Sequence, residues 1–159
     1  SLLAAGARVD TFGVGTSLST SSDAPFLGVL YKLVEIEQDG AVREAAKFSA
    51  AKVTYPGRKQ VYRTVDPAGV YAGDLIALED ESAVPGQPLL DPVMRAGRRV
   101  APAEPLTASQ QRCHDQVQHL PPALRGLAPA PQRYPVRHSE RLESLLEQVR
   151  ERVLGVRSL

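Results

Sequence analysis

Ten of the 13 prolines in this 159-residue chain lie between Pro85 and Pro135. An interior proline removes a helical hydrogen bond and drives its ring into the preceding turn, so no long helix crosses that span. One short helix fits between Pro105 and Pro121. Its start, Thr107-Ala108-Ser109-Gln110, reads as a capping box, and Cys113, Val117 and Leu120 share a face before Pro121 stops it. Residues 129–135 are extended linker. Beyond them the proline pressure ends and a second helix is predicted. Ser139 caps it, Glu140 suits the positive end of its dipole, and Leu142, Leu145, Leu146, Val149 and Val153 line one side up to Gly155.

Upstream, the hydrophobic pattern is that of strands. Residues 29–37, rich in Val, Ile, Leu and Tyr, predict a strand. A turn at Gln38-Asp39-Gly40 lets 42–48 pair back as a hairpin. Tyr55-Pro56-Gly57 is a further turn. Residues 59–65 and 70–78 predict two strands joined through Asp66-Pro67-Ala68-Gly69, a type I turn with proline at its second position. A last pair, 89–95 and 98–101, flanks Ala96-Gly97. From residue 28 to about 101 the expectation is an antiparallel β-rich region.

The front of the chain has another rhythm. Residues 1–5 read as the last turn of a helix stopped at Gly6 as its C-cap. Residues 8–12 read as a short buried strand, with Val9 and Phe12 apolar, running into Gly13-Val14-Gly15-Thr16. Helix end, strand and glycine turn in that order are the rhythm of a βα repeat with parallel strands. A first residue that is not methionine, set in mid-helix, reads as the C-terminal part of something longer.

The totals exclude several classes. Lys and Arg number 19 against 18 Asp and Glu, a net charge of +1, which offers no electrostatic case for nucleic acid or an anionic membrane as partner. Cys113 is the single cysteine, so an intrachain disulfide, a cysteine-based zinc site and a CxxC redox motif are all ruled out. A cytoplasmic setting fits. No apolar run approaches the roughly 20 residues of a membrane helix. His114 and His119 in the short helix, and His138 before the last one, read as surface residues. Cys113 on an apolar face reads as inert packing. The Ser and Thr cluster at 16–22 has no histidine close in sequence to serve as base. No catalytic residue and no metal ligand is assigned.

The glycine turn carries the chemistry. Glycine tolerates positive φ and lets a ligand approach the main chain, and successive N–H groups then converge on an anion. Thr16, Ser17, Ser19 and Thr20 add hydroxyl donors. The spacing and ending of a nucleotide P-loop are absent. A plain strand-to-loop turn with its polar residues in water is the competing reading of the motif by itself.

The wider context resembles a known family. Val9-Asp10-Thr11-Phe12-Gly13-Val14-Gly15-Thr16, then Asp23-Ala24-Pro25 and Gly28-Val29-Leu30-Tyr31-Lys32-Leu33-Val34, are similar to blocks of the nicotinate phosphoribosyltransferases. So are 52–63 (Lys52 to Arg63, with Tyr55-Pro56-Gly57-Arg58-Lys59), Pro88-Leu89-Leu90 with Pro92-Val93-Met94-Arg95, and Tyr134-Pro135-Val136 with Ser139. The blocks fall in the family's order across nearly the whole chain. The resemblance implies an α/β fold: the end of an irregular type II phosphoribosyltransferase barrel, with the last parallel strand and phosphate-binding turn in 1–27, a β-rich segment in 28–106 and a C-terminal helical and proline-rich extension in 107–159. It implies an enzyme of NAD salvage that joins nicotinate to phosphoribosyl pyrophosphate, coupled to ATP hydrolysis through a phosphorylated histidine. Gly13, Gly15, Thr16 and Ser17 are then the cradle of the ribose 5′-phosphate. Lys32, Lys47 and Lys52 look like family lysines that reach ATP or pyrophosphate, and Asp10 anchors the strand end or bonds a ribose hydroxyl. No cofactor is tightly bound; phosphoribosyl pyrophosphate and ATP, with Mg2+, are the substrates. The expected partners are an N-terminal portion of the enzyme, which holds the phosphorylated histidine and the nicotinate site, and a second full-length copy in a homodimer. Residues 43–53 depart from the family in lacking an acidic-proline stretch. The isolated chain is expected to be inactive. The alternatives are a non-catalytic phosphate-binding or regulatory subunit and a related enzyme acting on nicotinamide or quinolinate.

Overall fold

The structure is a computed structural model. It describes residues 30–49, 52–126 and 132–155 and, before them, Gly6, Arg8, Asp10, Thr11, Gly13, Gly15 and Thr20. The chain forms two compact units, Ser1–Lys32 and Leu33–Leu159.

In the first unit Gly6 sits in a turn at φ +78°, the left-handed conformation a C-cap glycine adopts; the helix predicted before it lies outside the described residues. The strand expected at 8–12 is not found at Arg8, Asp10 or Thr11, and Val9 and Phe12 lie outside the description. A strand takes its hydrogen bonds from neighbours, and none of the described strands pairs with this segment.

The second unit is built around a four-stranded mixed sheet in the order β10 (Val136–His138), β6 (Tyr71–Leu78), β5 (Lys59–Val65), β7 (Gln87–Pro88). Its centre is the predicted hairpin, β5 (Lys59–Val65) against β6 (Tyr71–Leu78), in antiparallel register from Lys59↔Leu78 to Val65↔Tyr71. The turn between them is held by Asp66. Its Oδ1 accepts from the N–H groups of Ala68 and Val70, both at 2.9 Å, while its carbonyl accepts from Gly69 N at 2.9 Å. β7 (Gln87–Pro88) adds to the far edge of β5. Proline is tolerated there because an edge strand need not donate outward. Beyond Pro88 the Gln60 side chain extends the pairing, accepting from Leu90 N and donating to Leu90 O at 2.9 Å each. β10 (Val136–His138) pairs parallel with β6, a strand the sequence pattern does not announce.

Three small two-stranded hairpins accompany this sheet in the chain. β1 (Glu35–Gln38) and β2 (Ala41–Glu44) join through Asp39 and Gly40 at φ +53° and +77°, the paired left-handed conformations of a type I′ turn. The strand expected from residue 29 begins only at Glu35. Leu30, Tyr31 and Leu33 are exposed, with no partner strand to extend the ladder. The strand expected over 42–48 breaks after Glu44, and β3 (Phe48–Ser49) pairs instead with β4 (Lys52–Val53). β8 (Met94–Arg95) and β9 (Arg98–Arg99) turn at Ala96-Gly97 as expected, with shorter strands.

The first helix, α1 (Leu106–Gln118), starts at Pro105 without a side-chain cap. The Thr107 capping box does not form because the helix begins before Thr107. Glu104 serves the first turn from outside, accepting from Ser109 Oγ at 2.6 Å and pairing with Arg112. No α1 residue is buried and Cys113 is exposed, so the expected inert packing of Cys113 is corrected; Leu120, beyond the helix, is half-buried. What ties α1 to the sheet is its end: the His119 carbonyl accepts from Tyr71 N at 2.8 Å, and the two rings stack with centroids 5.6 Å apart.

α2 (Glu140–Leu154) matches its prediction. Leu142, Leu146 and Val149 are buried and pack on β6, whose Ala77 and Leu78 are buried in turn; Val153 lies beyond the sheet and is exposed. Ser139 Oγ accepts from Leu142 N, and Gly155 closes the helix at φ +64°. Among the described residues no helix is long and apolar enough to cross a membrane.

Candidate functional site

Gly13 and Gly15 are exposed, and a Cβ built on either meets no atom within 4 Å. Neither adopts the left-handed backbone conformation, so the turn does not need glycine for its φ angles; what glycine leaves there is open main chain. Thr16 and Ser17 lie outside the described residues. Asp10 is exposed in the same unit, as is Lys32.

In the second unit the other two lysines fall on one ribbon. Lys47 immediately precedes β3 and is exposed; its carbonyl accepts from Thr54 N at 3.1 Å. Lys52 stands in β4 opposite Ser49. The β3–β4 pairing therefore places on one ribbon two lysines that are five positions apart in sequence.

The ribbon leads into a turn that the sequence marks only as Tyr55-Pro56-Gly57. Lys59 holds it: its ammonium donates to the carbonyls of Tyr55 (2.8 Å), Pro56 (3.3 Å) and Gly57 (2.5 Å). Burial pulls the Lys59 pKa down, and Glu35 opposes that shift. Pro56 is fully buried, and Gly57, at φ +75°, lies so close to Leu78 that a Cβ would stand 2.9 Å from its Cδ2. This use of Lys59 has a faint sequence signal: a lysine just beyond a Pro-Gly turn, where carbonyls face the same side.

The histidines are not placed as a catalytic set. His114 is exposed and His119 docks α1. His138 is half-buried rather than a surface residue. Its ring stacks on Tyr55 at 3.9 Å between centroids, and its Nδ1 lies 3.4 Å from Glu143 Oε1. Tyr55 donates to the same Glu143 oxygen at 2.9 Å, and burial, then that carboxylate, push the Tyr55 pKa up. The cluster fixes the start of α2 against the Tyr55 turn.

A second cluster sits across the hairpin. Arg63 Nε and Nη2 donate to the two oxygens of Asp74, both at 2.8 Å; Tyr134 donates to Asp74 Oδ1 at 2.9 Å, and the guanidinium lies 4.5 Å from the Tyr71 ring centroid. Arg63 holds the Asp74 carboxyl below its ordinary range. This bidentate pair joins β5 to β6, and Tyr134 brings the segment before β10 to it.

A cleft of about 720 Å³ lies between the β1–β2 hairpin, the turn after β6 and α2. Five carboxylates line it (Glu35, Glu37, Glu44, Glu79 and Asp80) against the guanidiniums of Arg58 and Arg141. Arg58 is held by Glu35, and Arg141 forks onto Asp80 at 2.8 and 2.7 Å. A phosphate would meet net negative charge and occupied guanidiniums here, so the cleft is not an anion site.

Comparison with known proteins bears on what these elements belong to. Residues 83–146 match the family model described as the nicotinate phosphoribosyltransferase C-terminal domain. The chain is 43% identical over 150 residues to the nicotinate phosphoribosyltransferase pncB2 of Mycobacterium tuberculosis, which covers 94% of this chain and 31% of that protein. It is 52% identical over 83 residues to the nicotinate phosphoribosyltransferase of Bacillus subtilis, covering 50% of this chain and 17% of that one. Among solved structures it is similar to human nicotinic acid phosphoribosyltransferase, with a TM-score of 0.56 at 24% identity over 69% of this chain and 25% of the human one, a likeness of fold. The chain thus spans about a third of the length of the curated relatives it matches most fully. Mixed sheets and two helices in this order, and identity along nearly the whole sequence, lead to one assignment: the chain belongs to the nicotinate phosphoribosyltransferase family, with 83–146 similar to its C-terminal domain.

Proposed function

We propose that this chain is the C-terminal part of an enzyme that joins nicotinate to phosphoribosyl pyrophosphate, releasing pyrophosphate and giving nicotinate mononucleotide, with ATP hydrolysis coupled to the transfer. What carries the reading is the 43% identity over 94% of the chain to a nicotinate phosphoribosyltransferase. Gly13 and Gly15 suit a ribose 5′-phosphate because their surroundings leave the main chain open to a ligand, and Thr16 and Ser17 complete the turn with hydroxyls. Lys47 and Lys52, brought onto one ribbon, and Lys32 supply ammonium groups for ATP or pyrophosphate; lysine suits such contacts as a mobile point charge. Mg2+ enters with those substrates. Among the described residues no group of three His, Cys, Asp or Glu side chains is placed to hold a metal ion. The remaining chemistry falls to an N-terminal portion that carries the phosphorylated histidine and the base site, and the whole enzyme works as a cytoplasmic homodimer without nucleic acid or membrane partners. By itself the 159-residue chain is inactive.

Calorimetric titration with ribose 5-phosphate tests the phosphate assignment without requiring turnover. Binding that Gly13→Val and Gly15→Val each weaken at least about tenfold, the loss of one or more main-chain contacts to a charged ligand, supports it. No binding, or binding indifferent to both substitutions, overturns it.

A further inference from the structure

The β8–β9 hairpin breaks two local rules, with nothing among the described residues to offset them. Its turn puts Ala96 at φ +48° beside Gly97 at +73°, and a residue with a Cβ is disfavoured in that left-handed region. Arg95 and Arg98 stand directly opposite each other across the turn, and like charges in that relation repel. A lone two-stranded hairpin is marginal to begin with, and this one has only two residues in each strand. Arg95, Arg98 and Arg99 are all exposed, and none makes an ion pair among the described residues. Asp91, the nearest acid before them, makes none either.

Strand alternation sorts these side chains. Arg95 and Arg98 share one face with Val93 and Val100, where Val93 O accepts from Val100 N at 3.2 Å and continues the ladder. Met94 and Arg99 oppose each other on the other face. Val93 and Val100 are 76% and 49% exposed. One face is thus two guanidiniums beside two bare valines. Local rules broken without internal compensation mark functional positions in natural proteins, and what removes the repulsion between two guanidiniums is an anion held between them.

We propose that Arg95 and Arg98 clamp a diphosphate group at the tip of this hairpin, one phosphoryl group to each guanidinium. Arginine recognises phosphate through two parallel N–H···O bonds, and a ligand with charge on each of two phosphoryl groups matches a pair of arginines better than a single phosphate does. A nucleic acid suits the face less well. Only two arginines share it, and a net charge of +1 gives no wider field to hold a polyanion. The diphosphate is free or part of a nucleotide, whose base then covers Val93 and Val100. Neither Gly13, Gly15 nor the lysines of the β3–β4 ribbon take part, so the site stands or falls apart from the phosphoribosyl-transfer reading.

Calorimetric titration of the 159-residue chain with inorganic pyrophosphate, without added metal, tests it. One equivalent should bind, with an affinity that falls as salt rises. Arg95→Gln and Arg98→Gln should each weaken binding at least about tenfold, the loss of a charge-assisted contact. Arg95→Lys, which keeps the charge but not the fork, should fall between. Arg99→Gln, on the far face, and Lys47→Ala/Lys52→Ala should each change affinity less than about twofold, as exposed charges outside the contact do. The three arginines are exposed, so their substitution leaves the fold in place, which circular dichroism checks. Inorganic phosphate should bind at least about tenfold more weakly than pyrophosphate. ADP identifies the source: tighter binding than pyrophosphate puts a nucleotide on the face, and equal or weaker binding a free diphosphate. No binding at millimolar pyrophosphate, or a loss in Arg99→Gln equal to that in Arg98→Gln, overturns the proposal. So does loss in Lys47→Ala/Lys52→Ala with both arginine variants silent, which places the anion on the ribbon, and so does a single-stranded oligonucleotide that binds more tightly than pyrophosphate.

Discussion

Removing the hydroxyl of Ser139 is predicted to loosen α2 from the sheet. Ser139 stands where β10 becomes α2, and its N–H already donates to Ile76 O at 2.9 Å. Its Oγ accepts from Leu142 N at 3.1 Å and donates to Glu81 Oε1 at 2.6 Å; that carboxylate oxygen also accepts from Leu78 N at 2.8 Å. One hydroxyl thus links the helix N-terminus, the end of β6 and the turn beyond it. Losing an N-cap costs about 1 kcal/mol, and a half-buried hydroxyl–carboxylate bond about 1 more after allowance for solvent. Ser139→Ala should therefore destabilise by about 2 kcal/mol, and lower Tm by about 8 °C in a unit of this size. Urea unfolding followed by circular dichroism reads the first number and a thermal scan the second. Ser139→Thr, which keeps an oxygen in place, should lose less than half as much. Glu81→Gln keeps an acceptor but not the charge, so in a double-mutant cycle it should couple to Ser139→Ala by about 1 kcal/mol. A loss below about 0.5 kcal/mol for Ser139→Ala, the range of an ordinary surface change, or full additivity with Glu81→Gln, would refute the account of this junction.

Three further outcomes follow from other parts of the unit. Gly86 sits at φ +111°, where a Cβ would stand 2.7 Å from the main-chain oxygen of Arg63; Gly86→Ala should cost about 3 kcal/mol and detach β7, whereas Gly69→Ala, at φ +80° with open space, should cost about 1 in the same urea titration. Asp74 has its folded pKa depressed by Arg63, so its share of stability is present above the unfolded value near pH 4 and is lost as pH falls through the lower folded value; unfolding free energies measured downward from about pH 5 should fall less steeply in Asp74→Asn. Cys113 is exposed and should be titrated fully by a thiol reagent in the native protein, with Cys113→Ser changing stability by less than about 0.5 kcal/mol.

The elements legible in the sequence are those whose hydrogen-bond partners are close in the chain. The β5–β6 hairpin is marked at both ends by the Asp66-Pro67-Ala68-Gly69 turn and by dense apolar content, and α2 by its serine, its leucine stripe and its glycine. What escaped depends on distant partners. β10 is three residues long with one apolar side chain, and only its pairing with β6 makes it a strand. The face of α1 looks amphipathic, yet no element of the described structure covers it, so Cys113 faces solvent. His138 reads as a surface residue until Tyr55, 83 positions earlier in the chain, stacks on it. The glycine pattern did announce the open main chain found at Gly13 and Gly15. The Lys59 clamp left only the faint signal of a lysine just beyond a Pro-Gly turn, because carbonyls converging on an ammonium leave little mark in side-chain pattern.

The central claim is that this chain supplies the C-terminal part of a nicotinate phosphoribosyltransferase. It is tested most directly by turnover: formation of nicotinate mononucleotide from nicotinate, phosphoribosyl pyrophosphate and ATP, measured for the chain alone and for a chimera in which it replaces the matching third of the Mycobacterium tuberculosis relative. The account predicts no product from the chain alone and product from the chimera, abolished by Gly13→Val with Gly15→Val. A folded chimera that makes no product, or a chain that turns over unaided, would contradict it.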